Sequence, residues 1–288
     1  MAVSTRSLVP PMPSVGNPSV LLWVASACIA FLGARTFFEY FRRLHYDGPL
    51  RLWRELLLGS AALAAMLWSA MVIDIGAQGL LFEVGYHPAK VFGSLVIGVA
   101  AMAAIVVLAT SRQGVLLKLA AAVLAALTAL ALQVAVIWSV GAEPGLNWRT
   151  EPLIFAVLLH LIGLLFAGRL VTGARRGSRA DRPSRRLLAA LALGACAVAA
   201  QELVISGSGL DRQVVSAHAR FLPEVIITLV AGAGVPVALV LMLVDQRTQQ
   251  RTRASQRARR KRHGADAGES MFSESMLAAP DSKNTASH

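Results

Sequence analysis

Seven apolar stretches of about twenty residues dominate this chain, and a bilayer core about 30 Å thick is what a helix of that length crosses. They run roughly Val20–Phe41, Leu52–Ile75, Ala89–Thr110, Val115–Val140, Pro152–Val171, Arg186–Ile205 and Phe221–Val244. None shows strand-like alternation, which argues against a β-barrel. In lipid each backbone polar group must be satisfied internally, so each stretch reads as a helix. The expected fold class is therefore all-α, a polytopic membrane protein of one helix plus three helix hairpins. Composition agrees. Apolar residues make up 56% of the 288 and charged residues 15%, against about 45–50% and about 25% in soluble domains. A soluble enzyme core, a coiled coil and a disordered chain are excluded for most of the length.

The basic residues fix the orientation. The loop after the first span holds Arg42, Arg43, Arg51 and Arg54, and the third is followed by Arg112 and Lys118. Seven arginines cluster after the fifth span, Arg175 and Arg176 among them. Eight bases follow the seventh, including Arg259, Arg260, Lys261 and Arg262. Five bases fall on the opposite side: Arg6, Lys90, Arg149, Arg212 and Arg220. Cytoplasmic loops carry the excess of Lys and Arg, which predicts the N-terminus outside and the C-terminus inside. The first span has only Arg6 before it, so it reads as a retained helix and not as a signal peptide. Residues 1–18 read as an extended outer tail, 19–245 as the membrane domain and 246–288 as a basic, then polar, disordered tail. The net charge of +12 lies in short clusters between apolar blocks, a pattern of membrane loops and not of nucleic-acid binding. The arginine-rich segments are candidate contacts for anionic lipid headgroups or a cytoplasmic signalling partner. The expected location is a bacterial cytoplasmic membrane.

Spans 2–3, 4–5 and 6–7 form three hairpins of similar length. Near the outer end of each first helix sits a comparable stretch: WSAMVIDIG at Trp68–Gly76, ALQVAVIWS at Ala131–Ser139 and AAQELVISG at Ala199–Gly207. This layout resembles the MHYT domain, a bacterial membrane module of seven helices with a threefold repeat. There the motif M-H-[YF]-x-G-M sits near the outer ends of the same helices. WSAMVIDIG followed by EVGYHPAKVFGSLVIGVAA is similar to that family's first repeat, and the resemblance covers about residues 20–248. Met71, Gln133 and Gln201 occupy its three histidine positions. The resemblance implies a sensory fold. It also implies copper, which family members are proposed to hold through His and Met. Gln is a hard, weak substitute for those donors, so no cofactor is expected here.

Polar groups inside a membrane are functional candidates by default. Asp74, Gln133, Gln201 and Glu202 lie within about two turns of the outer face, and Asp74 shares a helix face with Met71. With Met71 they are the candidate ligand-binding set, a shallow pocket open to the outside. A second set, Cys28, Met66, His160 and Cys196, shares a depth of about 13 Å by helix rise. It is the alternative metal site. Arg35 and Glu39, i and i+4 on the first span, are expected to pair or to snorkel. Glu55 and Glu224 read as interfacial, and Pro236 with Gly232 and Gly234 predicts a kink. Walker A, GxSxG and HExxH motifs are absent, so no enzyme is expected.

The leading expectation is an MHYT-like sensory or regulatory protein without its own catalytic output domain, perceiving a small ligand or redox signal at the outer face. One alternative is a structural or assembly-type membrane protein docking lipid or partners through its arginine-rich segments. Another is a small carrier or membrane enzyme using Asp74, Glu202 and Glu224. The charge distribution gives a direct test. A reporter active only in the cytoplasm should score inside when fused after Arg176 and outside when fused after Gly145; the reverse pair of results overturns the orientation.

Overall fold

In the computed structural model the described residues are 19–43, 49–80, 82–110, 114–173, 183–210, 215–218, 221–245 and 247–248. The terminal tails expected at 1–18 and 246–288 lie outside them but for residues 247 and 248. So do Arg175, Arg176, Arg259, Arg260, Lys261 and Arg262. Residues up to Val240 make one unit and Leu241–His288 a second. Six long helices run α1 Val20–Arg43, α2 Pro49–Ala77, α3 Pro88–Thr110, α4 Val115–Trp138, α5 Thr150–Gly173 and α6 Pro183–Ser208. The seventh, α7, spans Glu224–Asp245. All seven are long and apolar enough to cross a membrane. Three start on a proline, Pro49, Pro88 and Pro183. Proline suits the first helical position, where its missing N–H costs nothing. This carries α2 and α6 three residues beyond the start that hydropathy alone suggests.

The chain packs α2 at the centre, with α1, α3, α4, α6 and α7 against it. The apolar stretch of α2 is 78% buried, against 17% for that of α7. The outer helices leave Val96, Ile97, Phe155, Ile162 and Val237 exposed, the apolar face that lipid covers. Helices in lipid gain no hydrophobic drive from meeting one another, so close packing at small residues holds them together. A Cβ on Gly33 of α1 would stand 2.2 Å from the Met66 Cβ on α2. One on Gly194 of α6 would stand 3.1 Å from the Phe31 backbone nitrogen on α1.

Between α6 and α7 the fold departs from a simple hairpin. The seventh helix leans chiefly on α2, and its start is set by a hydrogen bond from the Glu224 N–H to the Val84 carbonyl at 3.2 Å. Near Pro236, where the sequence predicts a kink, the helix runs through a π-helical turn at Val230–Gly234. The Val235 N–H bonds the Val230 carbonyl across that turn. The next donor in the series is Pro236, which has no N–H, and it would have served the Ala231 carbonyl. Ser69 on α2 donates to that carbonyl instead, at 2.6 Å. Neighbouring hydroxyls commonly make proline tolerable inside membrane helices in this way.

The ion pair differs from expectation. Glu39 accepts a hydrogen bond from Arg186 of α6 at 2.9 Å, where Arg35 was the sequence candidate. Residues four apart on one helix meet only at its surface, whereas α6 brings Arg186 across the helix interface. Glu55, read as interfacial, is buried at 3% exposure.

The glycine contacts carry a prediction. Gly33→Ala should lower stability by about 1–3 kcal/mol through overpacking. Gly93→Ala, whose new methyl has nothing within 4 Å, should be neutral or gain up to about 1 kcal/mol from helix propensity. Unfolding equilibria in mixed detergent measure both; equal effects would contradict the close approach of α1 to α2.

Candidate functional site

One end of the bundle is capped by its loops. Gly85–Tyr86 (β1) pairs antiparallel with Leu222–Pro223 (β4), and Ala142–Glu143 (β2) pairs with Val215–Ser216 (β3). The α6–α7 connection thus ties down both the α2–α3 and α4–α5 connections. The Ser216 hydroxyl reinforces this, donating to the Val140 carbonyl at 2.6 Å with the Gly85 carbonyl 3.3 Å away. The N-terminal end of α1 joins the same face, where the Ser19 N–H bonds the Ala77 carbonyl at 2.9 Å. This capped face is the side to which the charge count assigns the outside.

His87, His218 and Phe221 form a ring cluster within the cap, the two imidazoles 5.2 Å apart in an edge-to-face arrangement. His218 lies over Gly141, where φ is +63° and a Cβ would stand 2.6 Å from the ring. Both the backbone conformation and the space call for glycine there. Desolvation holds the His218 pKa below the usual imidazole value. The Lys90 and His87 charges add to that shift, while the Ala217 backbone and Glu143 oppose it. Lys90 itself sits over the Trp138 ring, 4.9 Å from its centroid. Burial pushes the Tyr86 hydroxyl pKa upward, with the Glu224 charge adding to it.

Of the five candidate ligand residues, the structure puts four inside the bundle. Met71, Asp74, Gln133 and Gln201 are all fully buried. Gln133 and His160 of α5 share a hydrogen bond of 3.1 Å, and Gln201 donates to the Leu67 carbonyl at 3.3 Å. Three of the four keep unmet atoms: both Asp74 oxygens, the Gln133 nitrogen and the Gln201 oxygen. Glu224 lies over Gly76 on α2.

Glu202, the fifth, lines an open pocket. This cavity of about 310 Å³ on the capped face is lined by Gln78, Asn147, Arg149, Glu202, Ile205, Ser206 and Gly209. Its volume falls at the lower end of small-molecule sites. Glu202 is fixed there by two donors: the Trp23 indole N–H of α1 at 2.8 Å and the side-chain amide of Gln78, just past the end of α2, at 3.3 Å. The opposite wall is tied to the same helix, because Asn147 N–H bonds the Ser208 carbonyl and Arg149 N–H bonds the Gly207 carbonyl. Sequence reading misses Gln78, Asn147 and Arg149. They lie in short polar stretches with no periodicity, and only the path of the loop brings them to Glu202.

The deeper candidates divide. Met66 and His160 line a cavity of about 10 Å³ with Met102, about enough for one water. Cys28 is exposed and Cys196 half-buried, the latter packed on Gly163. Among the described residues no three His, Cys, Asp or Glu side chains stand close enough to hold a metal ion.

Comparison of the chain with protein-family models, curated proteins and solved structures finds no match. What the fold itself defines is a class: a polytopic membrane protein of seven helices.

The cap yields a pH prediction. A histidine whose folded pKa is lowered adds stability that is complete above its unfolded value, 6.5, and is lost as pH falls below that value. The melting temperature in nanodiscs should therefore drop as pH falls from neutral toward 5. His218→Gln should remove much of that drop; an unchanged pH profile contradicts the environment described for His218.

Proposed function

We propose that the protein is a membrane sensory or regulatory module, MHYT-like in layout, that perceives a small polar ligand in the capped-face pocket and relays it across the bilayer. One observation carries the reading: α1 and α6 are fastened to each other at both ends. On the capped face Trp23 bonds Glu202 at 2.8 Å, and Glu202 lines the pocket. On the opposite face Glu39 pairs with Arg186 at 2.9 Å. Arg186 opens α6 beside the arginine-rich connection that the sequence marks as a contact for lipid or a cytoplasmic partner. A ligand that competes for Glu202 pulls on α1, α2 and α6 together. Two side-chain links on one helix pair, one per face, give that pull a physical route.

The fully buried Met71, Gln133 and Gln201 serve in this reading as interhelical glue and not as ligands to the signal. The coupling is what distinguishes a sensor from a purely structural protein. Hydrogen–deuterium exchange on the full chain in nanodiscs measures it. Glu202→Gln should alter deuterium uptake in the first turns of α6, around Ser184–Ala190, as Glu39→Gln should do locally. An effect of Glu202→Gln confined to the capped face would overturn the relay.

A further inference from the structure

The capped-face pocket carries one full charge of each sign, and neither neutralises the other. Glu202 and Arg149 both line it, yet among the described residues no ion pair joins them. Each Glu202 oxygen accepts one hydrogen bond from the protein, and an ionised carboxylate offers about four acceptor positions. Spare acceptor capacity therefore remains on both oxygens. The Arg149 guanidinium has five donors in a rigid fork suited to carboxylate or phosphate, and its side chain is exposed.

We propose that this pocket binds a small zwitterionic group, its ammonium against Glu202 and its acid group against Arg149. The assignment deepens, and rests on, the reading of this pocket as the ligand site. A lone anion meets the Glu202 charge, a lone cation meets Arg149, and an apolar molecule leaves both charges stripped of water. A zwitterion satisfies both with charge-assisted hydrogen bonds. The space suits it too, since about 310 Å³ is the room of about ten waters, ample for a group of amino-acid size. Asn147 and Gln78 add amide groups to the same lining. The walls are preformed, because Arg149 is held to α6 by its own N–H on the Gly207 carbonyl at 2.8 Å. Preformed walls reduce the ordering cost of binding.

The chemistry has two sources: a free amino acid, or the headgroup of a phosphatidylethanolamine in the adjacent leaflet. The test uses the full chain in nanodiscs of phosphatidylglycerol alone, probed by equilibrium binding of radiolabelled glycine, L-alanine, L-glutamine and L-leucine. At least one should bind. Its decarboxylated amine and its deaminated acid should bind about tenfold more weakly or worse, and R149Q and E202Q should each cost a similar factor. In a second arm, phosphatidylethanolamine is added to the discs and native mass spectrometry compares wild type with R149Q, whose exposed position leaves folding intact. Retention by wild type alone assigns the headgroup as occupant and equally supports the proposal. Pocket-dependent binding of the amine or the acid alone, as tight as the zwitterion, overturns the charge assignment but leaves the ligand site standing. No binding in either arm overturns both.

Discussion

The burial of α2 is the constraint on which the rest of the molecule depends. A helix surrounded by five others in lipid cannot be held by hydrophobic exclusion, because the displaced medium is as apolar as the side chains. It must be held by contact. Met66 therefore lies against Gly33 where a methyl would clash, and Trp68 donates its indole N–H to the Val91 carbonyl at 2.9 Å. Ser69 donates to α7 where Pro236 cannot. Small residues set the distances between the helices, and single polar bonds fix which way each faces. The same logic explains the alanine- and glycine-rich runs along the chain, which let backbones approach.

Polar groups sort by whether they can reach water. The buried glutamines of α4 and α6 each make one bond to a neighbouring helix: Gln133 with His160, Gln201 with the Leu67 carbonyl. Their chemistry is spent on packing. Glu202, one residue beyond Gln201, points instead into the capped-face pocket and from there binds Trp23 on α1 and Gln78 just past α2. A step of one residue on a helix turns the side chain by about 100°, and here that step separates interior from exterior. The two carboxylates of the sequence candidates consequently play different parts. Asp74 is sealed among helices, whereas Glu202 faces solvent and supplies the pocket's negative charge.

The cap gives this pocket its rigidity. Short strands tie the α6–α7 connection to the other two loops, and His218 closes over Gly141, so the capped ends are linked through backbone hydrogen bonds. The opposite face is linked at least through Glu39 and Arg186. The proposed relay calls for helices connected in this way and not for independent rods. The proposed function rests on this geometry: an open, charged pocket joined to the far face through α1 and α6.

The seven spans were legible from the sequence because a bilayer demands about twenty apolar residues wherever a helix crosses it, whatever its neighbours. Charge asymmetry supplies the expected orientation for a similar reason, since it acts on each loop separately. The disturbance at Pro236 was equally local, whereas α2 and α6 start on prolines three residues before the starts that hydropathy suggests. Which residues form the open pocket was decided only by tertiary structure. Met71, Asp74, Gln133 and Gln201 share depth with Glu202, but depth does not say which way a side chain points. That depends on the rotation of each helix, fixed by contacts such as Gly33 on Met66 and Gly194 on the Phe31 backbone. Arg149 and Gln78 entered the site through loops whose paths no periodicity encodes. Glu39 took Arg186 in place of Arg35 because the partner across a helix interface is chosen by packing, and packing is a property of the whole fold.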